Sequence, residues 1–350
     1  MGLVSKIWTL ITDDVGIDLG TANTKVAIGG EGIIATEPSV VAMNTHTKDI
    51  LAVGADAKRM LGRTPANIVA VRPLRDGVIS DFEATRDMIE YFINLAYSRS
   101  KKFIKLPRPR VIIGVPSSAS EIGKKAVHDA AKNAGARDVF VIEEPMAAAI
   151  GSNLPITEAV GSMIVDIGGG TTDIAIISLG SIVVDKTVAV AGDQMDEEIV
   201  KYVRHKYNLL IGERMAEDIK IRIGSAYPLK KETTYEVRGR DILQGVPRTL
   251  TLSSIEVREA ISVQLNQIVL AMSEALEEAP PEILADIGSS GIVIAGGGAN
   301  IPGLKDLFEE KVKMKVSVAD EPIECVVRGT QLLLEDIELL ARVKENYDYY

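Results

Sequence analysis

The chain has very little cysteine and tryptophan: of its 350 residues, one is cysteine (Cys325) and one is tryptophan (Trp8). A single cysteine cannot form an internal disulfide, which fits a protein of a reducing compartment such as the cytosol. Since most isolated cysteines are small buried side chains, we interpret Cys325 as part of a core rather than as a reactive group.

The chain also lacks an excess of positive charge. Acidic side chains outnumber basic ones by 49 to 39, and the formal net charge is −10. Broad nucleic-acid binding requires a basic footprint, so this balance argues against a nucleic-acid partner. The hydrophobic and charged fractions, 46% and 25%, are those of an ordinary globular protein. The length predicts two domains or one large bilobal unit.

Long apolar runs are missing as well, since no stretch approaches the roughly 18 residues of a membrane-spanning helix. Residues 1–14 carry Leu3, Ile7, Leu10 and Ile11 at helical spacing, without a small-residue cleavage site or a long apolar centre. A signal peptide is therefore not expected. The segment is either a short amphipathic membrane contact or a terminal helix packed on the body, and both interpretations stay open.

The most informative feature that is present is a repeat. Segments 17–28 and 165–176 each run from an apolar strand through an aspartate and a glycine-containing turn into a second strand, with five of twelve positions identical. Glycine lets backbone N–H groups approach a phosphate, and hydroxyls add further donors. The repeat predicts two related halves that clamp one nucleoside triphosphate. Asp18 and Asp166 would hold Mg²⁺ through its waters.

Two further motifs follow apolar strands. The cluster Gly296-Gly297-Gly298-Ala299 precedes a helix, and open α/β sheets bind ligands beyond the carboxyl ends of their strands. Alone, it would be interpreted as a plain strand-to-helix turn. Glu143-Glu144-Pro145 is a favourable helix start, and one of its carboxylates could instead order an attacking water.

Strands and helices alternate along both halves, which predicts an α/β fold with parallel pairing. The second half repeats the opening order of the first, and no low-complexity linker separates them, so we expect packed lobes. Apolar periodicity and caps predict helices that start after Ser80-Asp81 and over 119–134, 194–207, 213–223, 254–278 and 323–343, with another from Pro302.

Taken together, these motifs resemble the actin–sugar kinase–heat-shock chaperone ATPase superfamily. Within it, longer stretches are similar to the MreB family of bacterial actins, and the resemblance covers nearly the whole chain: DLGTANT from Asp18, MLGRTP from Met60, RDGVI from Arg75, EPMAAAIG from Glu144 and QGVPR from Gln244. The resemblance implies an actin-like (ribonuclease H-like) duplicated fold with a nucleotide cleft between two lobes. Lobe I would comprise 1–155 and 322–350 with an insertion at about 36–75. Lobe II would comprise 156–321 with an insertion at about 190–253.

Carried over by motif, the resemblance implies a site for ATP or ADP with Mg²⁺. Asp18 and Asp166 would handle the metal, Glu144 would orient the attacking water, and Thr171 would sense the terminal phosphate. The remaining implied contacts are Thr21, Ala22 and Asn23 (first loop, phosphates), Gly168, Gly169 and Gly170 (second loop, phosphates), and Glu217, Asp218, Ile219, Lys220, Gly296, Gly297, Gly298 and Ala299 (adenosine).

The family resemblance further implies a filament protein with weak ATPase activity used as a switch, rather than a metabolic enzyme. Its partners would be other copies of itself, an anionic membrane surface and membrane-bound shape or wall-synthesis proteins, at the inner face of the cell membrane. A small-molecule kinase would need an additional polar pocket, and a chaperone ATPase a following peptide-binding domain; we expect neither here.

The chain departs from the family pattern at two places. Asp173 stands where many relatives have glutamate, a conservative change. Segment 99–110 surrounds Phe103 and Ile104 with six basic residues, where relatives carry an apolar membrane-contacting loop. It is either a solvated connection or a contact with anionic lipid, at about 1 kcal/mol per basic residue.

Overall fold

The computed structural model describes residues 14–75, 77–100 and 109–343. The chain divides into two compact units. The first comprises the described residues of Met1–Val160, Ile177–Ile182 and Glu324–Tyr350, and the second comprises Gly161–Ile176 and Val183–Ile323. The two lobes about a cleft, with the boundaries given above, stay a prediction.

Eighteen strands lie in the described residues. They are β1 (Val15–Leu19), β2 (Asn23–Ile28), β3 (Gly32–Pro38), β4 (Val41–Asn44), β5 (Ile50–Val53), β6 (Ile68–Val71), β7 (Leu74–Arg75), β8 (Val78–Ile79), β9 (Arg110–Val115), β10 (Asp138–Glu143), β11 (Ser162–Ile167), β12 (Thr172–Ser178), β13 (Ser181–Val188), β14 (Leu209–Leu210), β15 (Thr234–Asp241), β16 (Pro247–Ser253), β17 (Ile292–Ala295) and β18 (Val316–Val318).

The same residues form eleven α-helices. They are α1 (Ala55–Met60), α2 (Phe82–Arg99), α3 (Glu121–Asn133), α4 (Glu144–Gly151), α5 (Gly192–Tyr207), α6 (Glu213–Ile223), α7 (Ser254–Glu278), α8 (Pro281–Ser290), α9 (Leu304–Val312), α10 (Cys325–Glu335) and α11 (Ile337–Val343).

The first unit is built on a five-stranded sheet of order β10-β9-β1-β2-β3. β1, β9 and β10 run parallel, as expected from the alternation of strands and helices. The meander β1-β2-β3 is antiparallel, because short turns can join only antiparallel neighbours. β1 and β9 are buried along their whole length, so they read in the sequence as apolar runs.

The second unit has a five-stranded sheet of order β13-β12-β11-β17-β18, with β11, β17 and β18 parallel. The two sheets have the same arrangement. In each, a three-stranded meander (β1-β2-β3 or β11-β12-β13) forms one side, and two strands from later in the chain (β9 and β10, or β17 and β18) continue the sheet beside the first strand of the meander, parallel to it. The repeat seen in the sequence is therefore a repeat of topology.

Helix ends follow local chemistry. The side chain of Asp81 accepts a hydrogen bond from the Ala84 N–H at the start of α2 (3.0 Å), and Ser253 forms a capping box with Glu256 at the start of α7. The predicted bounds of α6 and α7 are confirmed.

Two helix predictions need correction. Pro280-Pro281 does end α7, but Pro281 also begins α8, since proline fits the first helical turn. The single helix predicted over 323–343 is two helices, α10 and α11, which meet at Asp336. The carboxylate of Asp336 accepts a hydrogen bond from the Leu339 N–H (2.9 Å), so this residue caps a new helix.

Both segments considered for membrane contact fall largely outside the described residues, namely 1–13 at the N-terminus and 101–108 of the basic segment. Among the helices of the described ranges, none has the length and apolar character needed to cross a membrane.

Candidate functional site

The first phosphate-loop candidate joins β1 to β2. Asp18 lies opposite Lys25 in this antiparallel pair, and Lys25 Nζ donates to Asp18 Oδ2 at 2.6 Å, with both residues buried. A buried charge must be paired, so the lysine accounts for a carboxylate at this position. Lys25 was not among the predicted site residues. The predicted strand–turn–strand hairpin would have placed it opposite Asp18, which is the position expected for a partner of that carboxylate.

The turn itself is held from one side by Ser39. The Ser39 hydroxyl donates to the Gly20 carbonyl (2.6 Å), and its backbone N–H donates to the Ala22 carbonyl (3.0 Å). In a trans peptide the C=O of one residue and the N–H of the next point in opposite directions. The N–H groups of Thr21 and Asn23 are therefore turned away from Ser39, where they can meet an anion.

Glu144 lies at the same edge of this sheet as Asp18. Gly114 of β9, the strand between β1 and β10, is in register with Asp18 on one side and with Ile142 on the other. A Cβ at Gly114 would stand 3.6 Å from Glu144 Cγ, so the buried Glu144 side chain lies beside this strand at the position opposite Asp18.

The structure distinguishes the two adjacent acids of this motif. The carboxylate of Glu143 accepts a hydrogen bond from Lys124 Nζ at 3.2 Å and belongs to an ion pair with helix α3. Glu144 opens α4 and lies against Gly114 at the carboxyl ends of the parallel strands. Of the two, Glu144 is the carboxylate placed beside the first loop.

The second loop candidate, Gly168–Thr171, joins β11 to β12 and is closed by a hydrogen bond from the Gly168 N–H to the Thr171 carbonyl (2.9 Å). Its carbonyls face the start of α5: Gly192 N–H donates to Gly168 O (3.3 Å) and Asp193 N–H to Gly169 O (2.7 Å). The first amides of a helix have no partner within the helix, so the loop satisfies them.

Glycines 296 and 298 bring their loop against the end of β11. Asp166 pairs with Ala295 in the parallel register of β11 and β17. Gly296 has φ +79°, and a Cβ there would stand 2.3 Å from Asp166 Oδ1. A Cβ at Gly298 would stand 2.2 Å from Ile167 Cγ2, whereas Gly297 has open space around it. Two of these glycines are therefore required by close approach, beside the predicted metal carboxylate.

Helix α6 carries the other predicted adenosine contacts. Glu217 and Asp218 are half-buried, and Ile219 is fully buried in the core of the second unit. Lys220 Nζ donates to Asp196 Oδ2 (2.8 Å) and to the Gly192 carbonyl (2.7 Å). Burial raises the pKa of Asp196 to about 6, against the opposing effect of the Lys220 charge.

The structure thus brings the predicted residues together within each unit. Asp18, Thr21, Ala22, Asn23 and Glu144 lie at one sheet edge of the first unit. In the second unit, Asp166, the loop 168–171 and the segment 296–299 lie at the carboxyl end of β11, and Lys220 of α6 contacts Gly192, which is bonded to that loop. Ser39, Gly192 and Asp196 were missed, because no local pattern marks a residue that acts on a loop distant in sequence.

These residues fit a nucleotide with Mg²⁺. The described ranges contain no group of three or more His, Cys, Asp or Glu that could hold a metal ion on its own. Mg²⁺ needs no such cage, since one or two carboxylates and substrate phosphates suffice, and each unit has one buried carboxylate at its loop, Asp18 in the first and Asp166 in the second. The outward-facing amides of both loops suit phosphate oxygens.

Solved structures show the class of protein to which this fold belongs: the fold is actin-like. MreB5 of Spiroplasma citri bound to AMPPNP is 37% identical with a TM-score of 0.87, over 94% of this chain and 98% of that one. The same protein bound to ADP gives a TM-score of 0.88. MamK in a double helical filament shares the fold alone, at 24% identity and a TM-score of 0.78, over 93% of this chain and 99% of that one.

Sequence comparison narrows the class to a family. A model of the MreB/Mbl protein family matches residues 12–342. The cell shape-determining protein MreB of Escherichia coli strain K12 is 49% identical over 341 residues, which cover 96% of this chain and 97% of that protein. The chain belongs to the MreB/Mbl family. The family and the fold that the motifs predicted are confirmed.

Proposed function

We propose that this chain is an ATP-binding bacterial actin homologue that polymerises into membrane-associated filaments and helps determine cell shape. Slow ATP hydrolysis would act as the assembly switch. The observation that carries the proposal is the repeated loop, in which held carbonyls turn backbone amides outward in each unit. The AMPPNP and ADP bound to MreB5 and the shape-determining role of E. coli MreB support it.

The phosphates of the nucleotide would be bound by backbone amides of both loops. In the first loop these are the N–H groups of Thr21 and Asn23, and in the second those of Gly169 and Gly170. Asp18 and Asp166 would hold Mg²⁺ through its waters, and the bound ion would neutralise charge on the phosphate oxygens. Lys25, buried beside Asp18, adds a fixed positive charge at the first loop.

Hydrolysis would depend on Glu144 and Thr171. The Glu144 carboxylate would accept a hydrogen bond from the attacking water and orient it, and the Thr171 hydroxyl would donate to the terminal phosphate. A carboxylate is a weak base at neutral pH, so turnover would be slow, which suits a switch. The adenosine would be bound by Glu217, Asp218 and Lys220 of α6 and by the segment 296–299.

The larger organisation is part of the same proposal. The two compact units would correspond to lobes I and II. Head-to-tail contacts between copies that do not close into a ring would produce open filaments. The N-terminal segment or the basic segment 99–110 would attach the filament to anionic lipid at the inner face of the cell membrane, beside shape or wall-synthesis proteins.

Sedimentation and phosphate release, measured with ATP and Mg²⁺, test this proposal. The wild-type chain should pellet in an ATP-dependent manner. Glu144→Gln should still bind ATP and pellet, but release phosphate at least about 100-fold more slowly, since a positioned acid–base group contributes about that much. Glu143→Gln is the matched control, because that carboxylate belongs to the Lys124 ion pair.

Two outcomes would contradict the proposal. A wild-type chain that stays monomeric well above micromolar concentration would exclude the filament function. Equal slowing in Glu143→Gln and Glu144→Gln would exclude the assigned role of Glu144. Electron microscopy on anionic liposomes, with residues 1–12 deleted or Lys101, Lys102 and Lys105 neutralised, would separate the two membrane attachments.

A further inference from the structure

A buried ion pair in the second unit includes one predicted adenosine contact and one residue that has no role in the function proposed so far. Lys220 of α6 and Asp196 of α5 form it, with their side chains only 14% and 10% exposed. Asp196 Oδ2 accepts the lysine hydrogen bond, while Oδ1 is buried and has no hydrogen-bond partner in the described part of the chain. An unsatisfied buried oxygen is costly, so the pair is not explained by stability alone.

The lysine also reaches the backbone at the start of α5. Its ammonium donates to the Gly192 carbonyl at 2.7 Å. A Cβ at Gly192 would stand 3.1 Å from Lys220 Nζ and 3.4 Å from the Gly168 carbonyl oxygen. Gly192 is therefore the point at which α6, the first turn of α5 and the second phosphate loop meet.

The orientation of the loop amides follows from this junction. The Gly168 and Gly169 carbonyls accept hydrogen bonds from the Gly192 and Asp193 N–H groups of α5. Because C=O and N–H point in opposite directions across a trans peptide, the next amides, those of Gly169 and Gly170, face away from α5. If the first turn of α5 shifts, these amides turn with it.

We propose that the Lys220–Asp196 pair positions the second phosphate loop: it holds the Gly192 carbonyl, fixes the first turn of α5, and so keeps the loop amides aimed at the phosphates. The inference rests on the proposed nucleotide-binding function and deepens it. Lys220 and Asp196 are positioning residues here, acting on phosphates through the backbone. The pair also ties the phosphate loop to α6, the helix that carries the predicted adenosine contact Glu217.

Amide hydrogen exchange on the full-length, nucleotide-free chain tests the contact directly. The informative amides are those of Gly192 and Asp193, which are bonded to the loop. In Lys220→Met and Asp196→Asn they should exchange about tenfold faster, the effect expected when a hydrogen bond involving a charged group is lost. Lys201→Met is the matched control, because Lys201 forms an exposed ion pair with Glu198 on the same helix.

Nucleotide affinity gives a second, independent readout. Asp196→Asn should bind ATP about tenfold more weakly and AMP within about twofold of wild type, since AMP lacks the β- and γ-phosphates. Lys220→Met should weaken both nucleotides, because Lys220 is also a proposed adenosine contact. Asp196→Asn keeps the shape of the side chain, so it decides the question if Lys220→Met fails to fold. Lys201→Met should match wild type in every measurement.

Several results would overturn the inference. Unchanged exchange at Gly192 and Asp193 in Asp196→Asn would show that the pair does not hold α5. Equal loss of ATP and AMP affinity in Asp196→Asn would show that the pair serves the adenosine instead. If the wild-type chain binds neither nucleotide, the proposed function is wrong, and the exchange rates still decide whether the pair positions the loop.

Discussion

The substitution Gly329→Ala adds one methyl group where two helices of the first unit cross. A Cβ at Gly329 in α10 would stand 1.9 Å from the Ala147 carbonyl oxygen of α4. At the other end of the crossing, a Cβ at Gly151 would stand 1.9 Å from the Cys325 carbonyl oxygen. The two backbones are in contact, and glycine at both positions makes that contact possible.

These distances allow an estimate of how much Gly329→Ala destabilises the fold. Carbon and carbonyl oxygen normally approach no closer than about 3.3 Å, so the helices must separate by more than 1 Å. Both neighbours are backbone atoms and cannot turn aside. Overpacking costs about 1–3 kcal/mol, against a gain of at most about 1 kcal/mol from replacing glycine within a helix. We expect Gly329→Ala to lower the free energy of unfolding by about 2 kcal/mol.

The same substitution should also affect nucleotide binding. α10 packs on β1, where a Cβ at Gly16 would stand 2.5 Å from Thr330 Oγ1. Displacing α10 therefore shifts β1, which carries Asp18, relative to α4, which carries Glu144. ATP affinity should fall along with stability.

Urea unfolding, followed by circular dichroism, measures the effect on stability. The matched control is Gly288→Ala in α8, where the added Cβ meets nothing within 4 Å. That change should raise stability by about 0.5 kcal/mol, since alanine is the better helix former. If Gly329→Ala proves as stable as Gly288→Ala, the backbone contact between α4 and α10 is not what the structure indicates.

Three further predictions concern the candidate site. Gly296→Ala places a Cβ 2.3 Å from Asp166 Oδ1 at φ +79°, so fluorescence titration should show at least about a tenfold loss of ATP affinity. Burial raises the pKa of Asp196 from 3.8 to about 6, so the folded chain holds a proton that the unfolded chain releases in that window. The contribution of Asp196 to the free energy of unfolding should therefore rise by at most about 3 kcal/mol as the pH falls from 6 to 4. In Asp196→Asn this part of the pH dependence should be missing when urea midpoints are compared across the same pH range. Lys25→Met leaves the Asp18 carboxylate buried without its ammonium and should cost about 3 kcal/mol, part of which Asp18→Asn should restore in the double variant.

Much of the fold was predictable because its signals are local. The ends of α6 and α7 were assigned correctly because capping residues, apolar periodicity and prolines act within a turn or two. Other features were not predictable for the same reason. Apolar periodicity continues through Asp336, and only the structure shows that its side chain caps a second helix.

The candidate site, too, was predictable from the sequence where its signals are local and not where they depend on distant residues. Glycine and aspartate after an apolar strand marked both loops, because glycine lets backbone amides approach a phosphate and aspartate can face the accompanying Mg²⁺. Choosing between Glu143 and Glu144 required the structure, since the choice depends on Lys124 of α3 and Gly114 of β9. Neither neighbour is close to the motif in sequence.

The sequence by itself determined the repeated strand–turn–strand units and the residue types of the two loops, because these depend on the order of residues along the chain, and its longer motifs carried the resemblance to the family. Only the tertiary structure decided how the loops are aimed. Their carbonyls accept hydrogen bonds from Ser39 in one unit and from the start of α5 in the other. In the second unit, Lys220, paired with Asp196, donates a hydrogen bond to Gly192 at that helix start. The physical reason is that a peptide group is oriented by its hydrogen-bond partner, and here most partners come from elements distant in the chain.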